Sequence, residues 1–141
     1  MRKRITLILA IMVLATVVVA VPATANQGSV VIPFAKEFVG PIGTNLVWEG
    51  SAGDHGSLRT FVDRDQIVER GQTWHVSFDW FVNDPTFVAE VEGTINLNNG
   101  RVVMSGTVVD GVYEGSRIIV RAQLDLDNLS SVGTMLITPS G

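Results

Sequence analysis

Cysteine is missing altogether from the 141 residues. That absence removes disulfide staples, thiolate metal ligands and a lipid anchor attached through cysteine. Histidine is nearly missing, with only His55 and His75, and neither has the neighbours of an established ligand set. No metal and no cofactor is therefore expected. Lysine is just as scarce, and beyond Lys3 the only one is Lys36. With Arg2, Lys3 and Arg4 set aside, seven basic residues face fourteen acidic ones. So acidic a chain offers no basic patch to displace counterions from a polyanion, which argues against nucleic acid or an anionic membrane surface as a partner.

One long apolar run is present, Ile5 to Val21, broken only by Thr6 and Thr16. Preceded by Arg2, Lys3 and Arg4 and followed by Ala23, Thr24 and Ala25, it has the form of an export signal with small residues at the −3 and −1 positions of a cleavage site. A spanning helix wants about 20 apolar residues. This run has 17, is followed by Pro22 and lacks a basic stop-transfer cluster. The expectation is a signal peptide over 1–25, one domain over 26–141, and a secreted protein, extracellular or periplasmic, with no membrane association after cleavage.

Helical periodicity is the next thing lacking, because no stretch of a dozen residues beyond the leader keeps apolar residues at 3, 4 and 7 spacing. Period two replaces it. Trp74, Val76, Phe78 and Trp80 alternate with His75, Ser77 and Asp79; Phe87, Ala89, Val91, Ile95 and Leu97 alternate with Glu90, Glu92, Thr94 and Asn96. The turn Asn83-Asp84-Pro85-Thr86 joins them into a hairpin. Leu46–Ser51 and Ser57–Asp63 flank a tip at 52–56, Ser116–Leu126 and Val132–Thr138 follow, and an opening strand falls within Val30–Val39. Strands of this length and spacing predict an all-β, antiparallel, roughly eight-stranded barrel, with a β-sandwich as the alternative. Closure is favoured because the chain has no lysines to spare for blocking sheet edges.

The segment from Gly93 to Val108, GTINLNNGRVVMSGTV, reads as a hairpin around Asn99-Gly100. A two-residue turn there pairs Leu97 with Val102, Ile95 with Met104, Gly93 with Gly106 and Val91 with Val108. It also sets Glu92 opposite Thr107 and Thr94 opposite Ser105, and with Val76 beside Gly93 it aligns Val76, Gly93 and Gly106 as a row of small residues at a sharp bend. The pattern carried by Gly93, Ile95, Leu97, Gly100, Val102, Gly106 and Val108 resembles the central hairpin of small calycin-type barrels of the allene oxide cyclase and dirigent kind, and of exported bacterial barrels on that plan. The resemblance implies a small barrel. Those families follow the hairpin with a Gly-Gly-Thr-Gly-like segment where this chain has Asp110 to Ile118, DGVYEGSRI, and none of their catalytic residues maps here.

Few residues suggest chemistry. His75 and Asp79 share a face but stand about 13 Å apart along a strand, and Asp79 opposite Glu90 reads as an acidic outer wall rather than a paired-acid site. Arg117 and Arg121 alternate with aliphatic residues and read as solvated; His55 sits at a hairpin tip; Asn128-Leu129-Ser130 matches a glycosylation acceptor by pattern alone. The aromatic residues are more informative. Trp48, Trp74, Phe78, Trp80, Val91 and the pliable Met104 are the candidate cavity-lining set, because an eight-stranded barrel is just wide enough to be filled or to hold one small ligand. Three functions stay open: a binding module for a small hydrophobic molecule, a cofactor-free isomerase or cyclase acting by shape, and a structural or interaction protein with a filled barrel. Oligomeric state is not written in the residues.

Overall fold

Alternation of apolar and polar side chains leaves each segment one dry face, and curling a single sheet until its first and last strands meet buries all of those faces at once. The computed structural model describes residues 28–139 and has this form; the expected signal peptide and cleavage site lie outside the described residues. Nine strands follow in order: β1 Val30–Ile42, β2 Asn45–Ala52, β3 Gly56–Asp63, β4 Val68–Arg70, β5 Thr73–Asn83, β6 Phe87–Asn96, β7 Arg101–Gly111, β8 Arg117–Asp125 and β9 Ser130–Thr138. They lie side by side as β3-β2-β1-β9-β8-β7-β6-β5-β4, and pairing of β3 with β5 closes the ring. The result is a closed, antiparallel eight-stranded barrel with β4 outside it.

β5 is shared between two partners along its length. Its second half, Phe78–Asn83, pairs with β3, and its first three residues, Thr73–His75, pair with the short β4. A single 3-10 turn, Arg64–Gln66, capped by the Asp63 carboxylate accepting from the Asp65 N–H, leads from β3 into that outer strand. The sequence pattern contains no hint of β4, since three exposed residues, Val68, Glu69 and Arg70, carry no periodicity.

The two faces follow the odd-even pattern. Val76, Phe78, Trp80 and Val82 of β5 and Phe87, Ala89, Val91 and Ile95 of β6 are buried, while Asp79, Glu90 and Glu92 are exposed outside. Asp79 lies directly opposite Glu90, and Val76 opposite Gly93.

The β6–β7 register differs from the sequence expectation by two residues. Ile95 faces Val102, Gly93 faces Met104, Val91 faces Gly106, Glu92 faces Ser105 and Thr94 faces Val103. A two-residue type I′ turn needs positive φ at both central positions, whereas at this turn only Gly100 adopts it, at 77°. The asparagines instead hold a longer loop: the Asn96 side chain accepts from the Asn98 N–H and the Asn99 side chain from the Arg101 N–H, while the Gly100 N–H bonds to the Asn96 carbonyl. A slip of two keeps every side chain on its face, so the core survives the correction.

The row of small residues does not survive it. Gly93 stands between Val76 and Met104, and Gly106 between Val91 and Ile118. Each glycine still marks a close approach: a Cβ on Gly106 would overlap the Glu90 carbonyl oxygen, and one on Gly93 the Val103 carbonyl oxygen. We expect Gly106→Ala to destabilise the fold by about 1–3 kcal/mol through this overlap. Urea unfolding is the check, and an unchanged midpoint would mean that the strands separate freely there.

Candidate functional site

Tracing the strands gives the barrel two distinct poles. The turns at 53–55, 84–86 and 112–116 gather at one, together with the start of β1 and the end of β9; the turns at 43–44, 97–100 and 126–129 and the outer segment 64–72 gather at the other. The first pole is plugged. Phe34 packs edge-on to Trp80 with ring centres 5.0 Å apart, Phe87 edge-on to Tyr113 at 5.8 Å, and Phe34, Trp80 and Phe87 are all fully buried.

The interior half toward the second pole is not fully packed. Phe34, Lys36, Trp48, Phe78 and Trp80 line one side of a cavity there, with Ser131 paired beside Lys36 on β9; Met104, Ala122 and Leu124 are among the other lining residues. Ile95–Val102 is the last pair before the 97–100 loop, and Leu124–Ser131 lies one pair from the 126–129 turn, so the cavity runs toward that pole. Its space for a water-sized molecule is about 20 Å³, enough for a single water. Anything larger enters only if side chains give way. Met104 has three rotatable bonds and Trp48 is only half-buried, so both are suited to it.

Lys36 is the feature that the sequence reading passed over. It is 5% exposed, the only charged side chain in the buried interior among the described residues. Its Nζ donates to the Thr60 hydroxyl at 3.0 Å, inside a cage of rings: Trp80 at 4.4 Å, Phe78 at 4.5 Å and Trp48 at 5.4 Å from ring centre to nitrogen. No carboxylate lines the cavity. Burial pushes the Lys36 ammonium down from 10.5 to about 7. The rings attract the cation and oppose that shift, but loss of hydration outweighs them.

The Trp80 ring that the amine stands over carries a buried polar group with no partner, its Nε1–H. Thr60 and Ser131 are buried as well, so the polar groups here are one amine, one indole donor and two hydroxyls, all capable of donating. Such a set is fitted to an oxygen acceptor on an otherwise apolar molecule. No family model matches the chain, and no curated protein does.

Of the six residues expected to line a cavity, Trp48, Phe78, Trp80 and Met104 do so. Trp74 is half-buried, four residues before Phe78 on β5 and packed against the core, and Val91 is buried opposite Phe78 without reaching the cavity. His75, Asp79 and Glu90 are exposed on the outer wall, as are Arg117 and Arg121, and His55 is exposed in the turn at the plugged pole. No cluster of three or more His, Asp or Glu poised for a metal occurs among the described residues. Asn128 is tied into its turn, its side-chain amide donating to Asp125 Oδ2 at 3.2 Å. The signal for Lys36 was present in the sequence: Ile32, Phe34, Lys36 and Phe38 share one parity, so a strand that buries Ile32 and Phe34 carries Lys36 inward too.

Proposed function

We propose that this protein, after export, holds one small, largely apolar molecule in the half of the barrel between Lys36 and the second pole. The observation that carries this reading is the unfilled space there, walled by Trp48, Phe78 and Trp80 and lined by the only charged side chain buried among the described residues. A core evolved for stability alone gains nothing from an amine without a counter-charge in its middle, because a buried charge that only a neutral hydroxyl and ring faces compensate destabilises. Polar groups placed against an apolar wall are what a binding site uses to orient a ligand.

Two of the three tryptophans line the cavity, which gives the test its signal. Titration with a panel of small hydrophobic molecules is expected to change tryptophan emission saturably with at least one of them, and Met104→Trp, which fills the cavity, is expected to abolish that change. No saturable change with any member would overturn the reading. The second reading, a filled barrel serving as a structural or interaction protein, draws on the small volume, about 20 Å³, and predicts that negative result.

A further inference from the structure

The amine of Lys36 is set up differently from a charge anchor. A buried lysine that serves as a salt-bridge partner has a carboxylate within reach; this one has a neutral hydroxyl, three ring faces and no acid among the cavity-lining residues. The ion pair of Arg59 with Glu49, on the neighbouring strands β3 and β2, has both side chains solvent-exposed. Nothing around Nζ supplies the negative charge that would hold it protonated, and the apolar surroundings favour the free amine, which is how a lysine becomes a nucleophile at neutral pH. We propose that Lys36 captures an apolar aldehyde or ketone inside the barrel as an imine. The proposal rests on the reading that the barrel admits a small molecule and adds what that molecule must carry.

The chemistry balances without a further reagent. The Nζ lone pair attacks the carbonyl carbon, the C=O π pair moves to oxygen, and one Nζ proton passes to that oxygen through the Thr60 hydroxyl 3.0 Å away, giving a carbinolamine. Nitrogen then expels the hydroxyl as water, which takes up a proton, and loss of the remaining Nζ proton leaves the neutral imine. No atom is oxidised or reduced. Trp80, whose ring centre is 4.4 Å from the amine and whose Nε1–H has no partner, offers a donor for the carbonyl oxygen, and the apolar wall accepts the rest of the molecule.

Trapping tests this directly, because Lys36 is the only lysine after Lys3. The protein is incubated at neutral pH with cinnamaldehyde and cyanoborohydride, and peptides are mapped by mass. Expected is a stable adduct on Lys36, of aldehyde mass less water plus two hydrogens, forming saturably with aldehyde concentration. Labelling should reach half its plateau near pH 7, whereas an exposed lysine follows the ordinary value near 10.4. Lys36→Arg keeps the charge and should form no adduct in the barrel; Lys36→Met serves if the arginine disturbs folding. Cinnamyl alcohol, which cannot form an imine, reports occupancy separately through tryptophan emission. If the alcohol binds but Lys36 is not labelled, the imine proposal fails and the binding reading stands; if neither happens, both fail. Tighter binding of cinnamate than of the aldehyde, with no adduct, would make Lys36 a carboxylate anchor and overturn the proposal.

Discussion

Urea is expected to unfold this protein at higher concentration at pH 10 than at pH 7, with a gain in stability of about 3–4 kcal/mol across that interval. The cause is Lys36, whose proton affinity in the folded protein is pushed down from 10.5 to about 7 by burial. The unfolded chain binds a proton there up to about pH 10.5 and the folded chain only to about 7, so between those values the unfolded state carries the extra proton and stability rises with pH. Below pH 7 both states are protonated and the penalty of burying the ammonium is fully present. Other groups titrate in the same range, so the comparison is with Lys36→Met, which keeps most of the volume and removes the charge. That variant should be more stable than the parent at pH 7 and should lack the rise. Parallel pH profiles for the two proteins would mean that the amine reaches water in the folded state.

Trp80→Ala should lower stability by about 3–5 kcal/mol, because it empties the largest fully buried side chain in the barrel. Nothing covalent offsets such a loss in a chain without cysteine, and the edge-on contact with Phe34 goes with it. At roughly 1–3 kcal/mol per molar urea the midpoint falls by about 2 M. Trp80→Phe should lose less than half as much: it keeps a ring against Phe34 and removes the unpaired indole N–H, whose burial is itself unfavourable by about 1–3 kcal/mol. A midpoint shift below about 0.5 M for the alanine variant would show that the plugged pole does not depend on Trp80.

Period-two alternation was enough to read the barrel, because it decides which face of each strand is dry, and the faces of β5, β6 and β8 came out as expected. Closure was also legible from the lack of edge protection, and the β3–β5 pairing supplies it. What the alternation does not decide is register. A slip of two residues preserves every face, so the choice between a two-residue turn and the loop at 97–100 fell to the side chains of Asn96 and Asn99, whose bonds to nearby backbone N–H groups are a local effect. β4 was invisible because an exposed three-residue strand has no core face to mark it. Lys36 was hidden for a different reason. Charge predicts an outward position for a residue, parity along β1 predicts an inward one, and in this strand the neighbours Ile32 and Phe34 outweigh the cost of desolvating one amine.

Val30 pairs with Ile137 at the plugged pole, so the polypeptide enters and leaves the ring side by side. Any tether joined upstream of β1 or downstream of β9 is thereby fixed to the plugged base, with the cavity toward the opposite side. A surface or scaffold gripping the protein by either route would present the cavity outward, like a cup standing on its foot, and would leave molecules free to approach from solution.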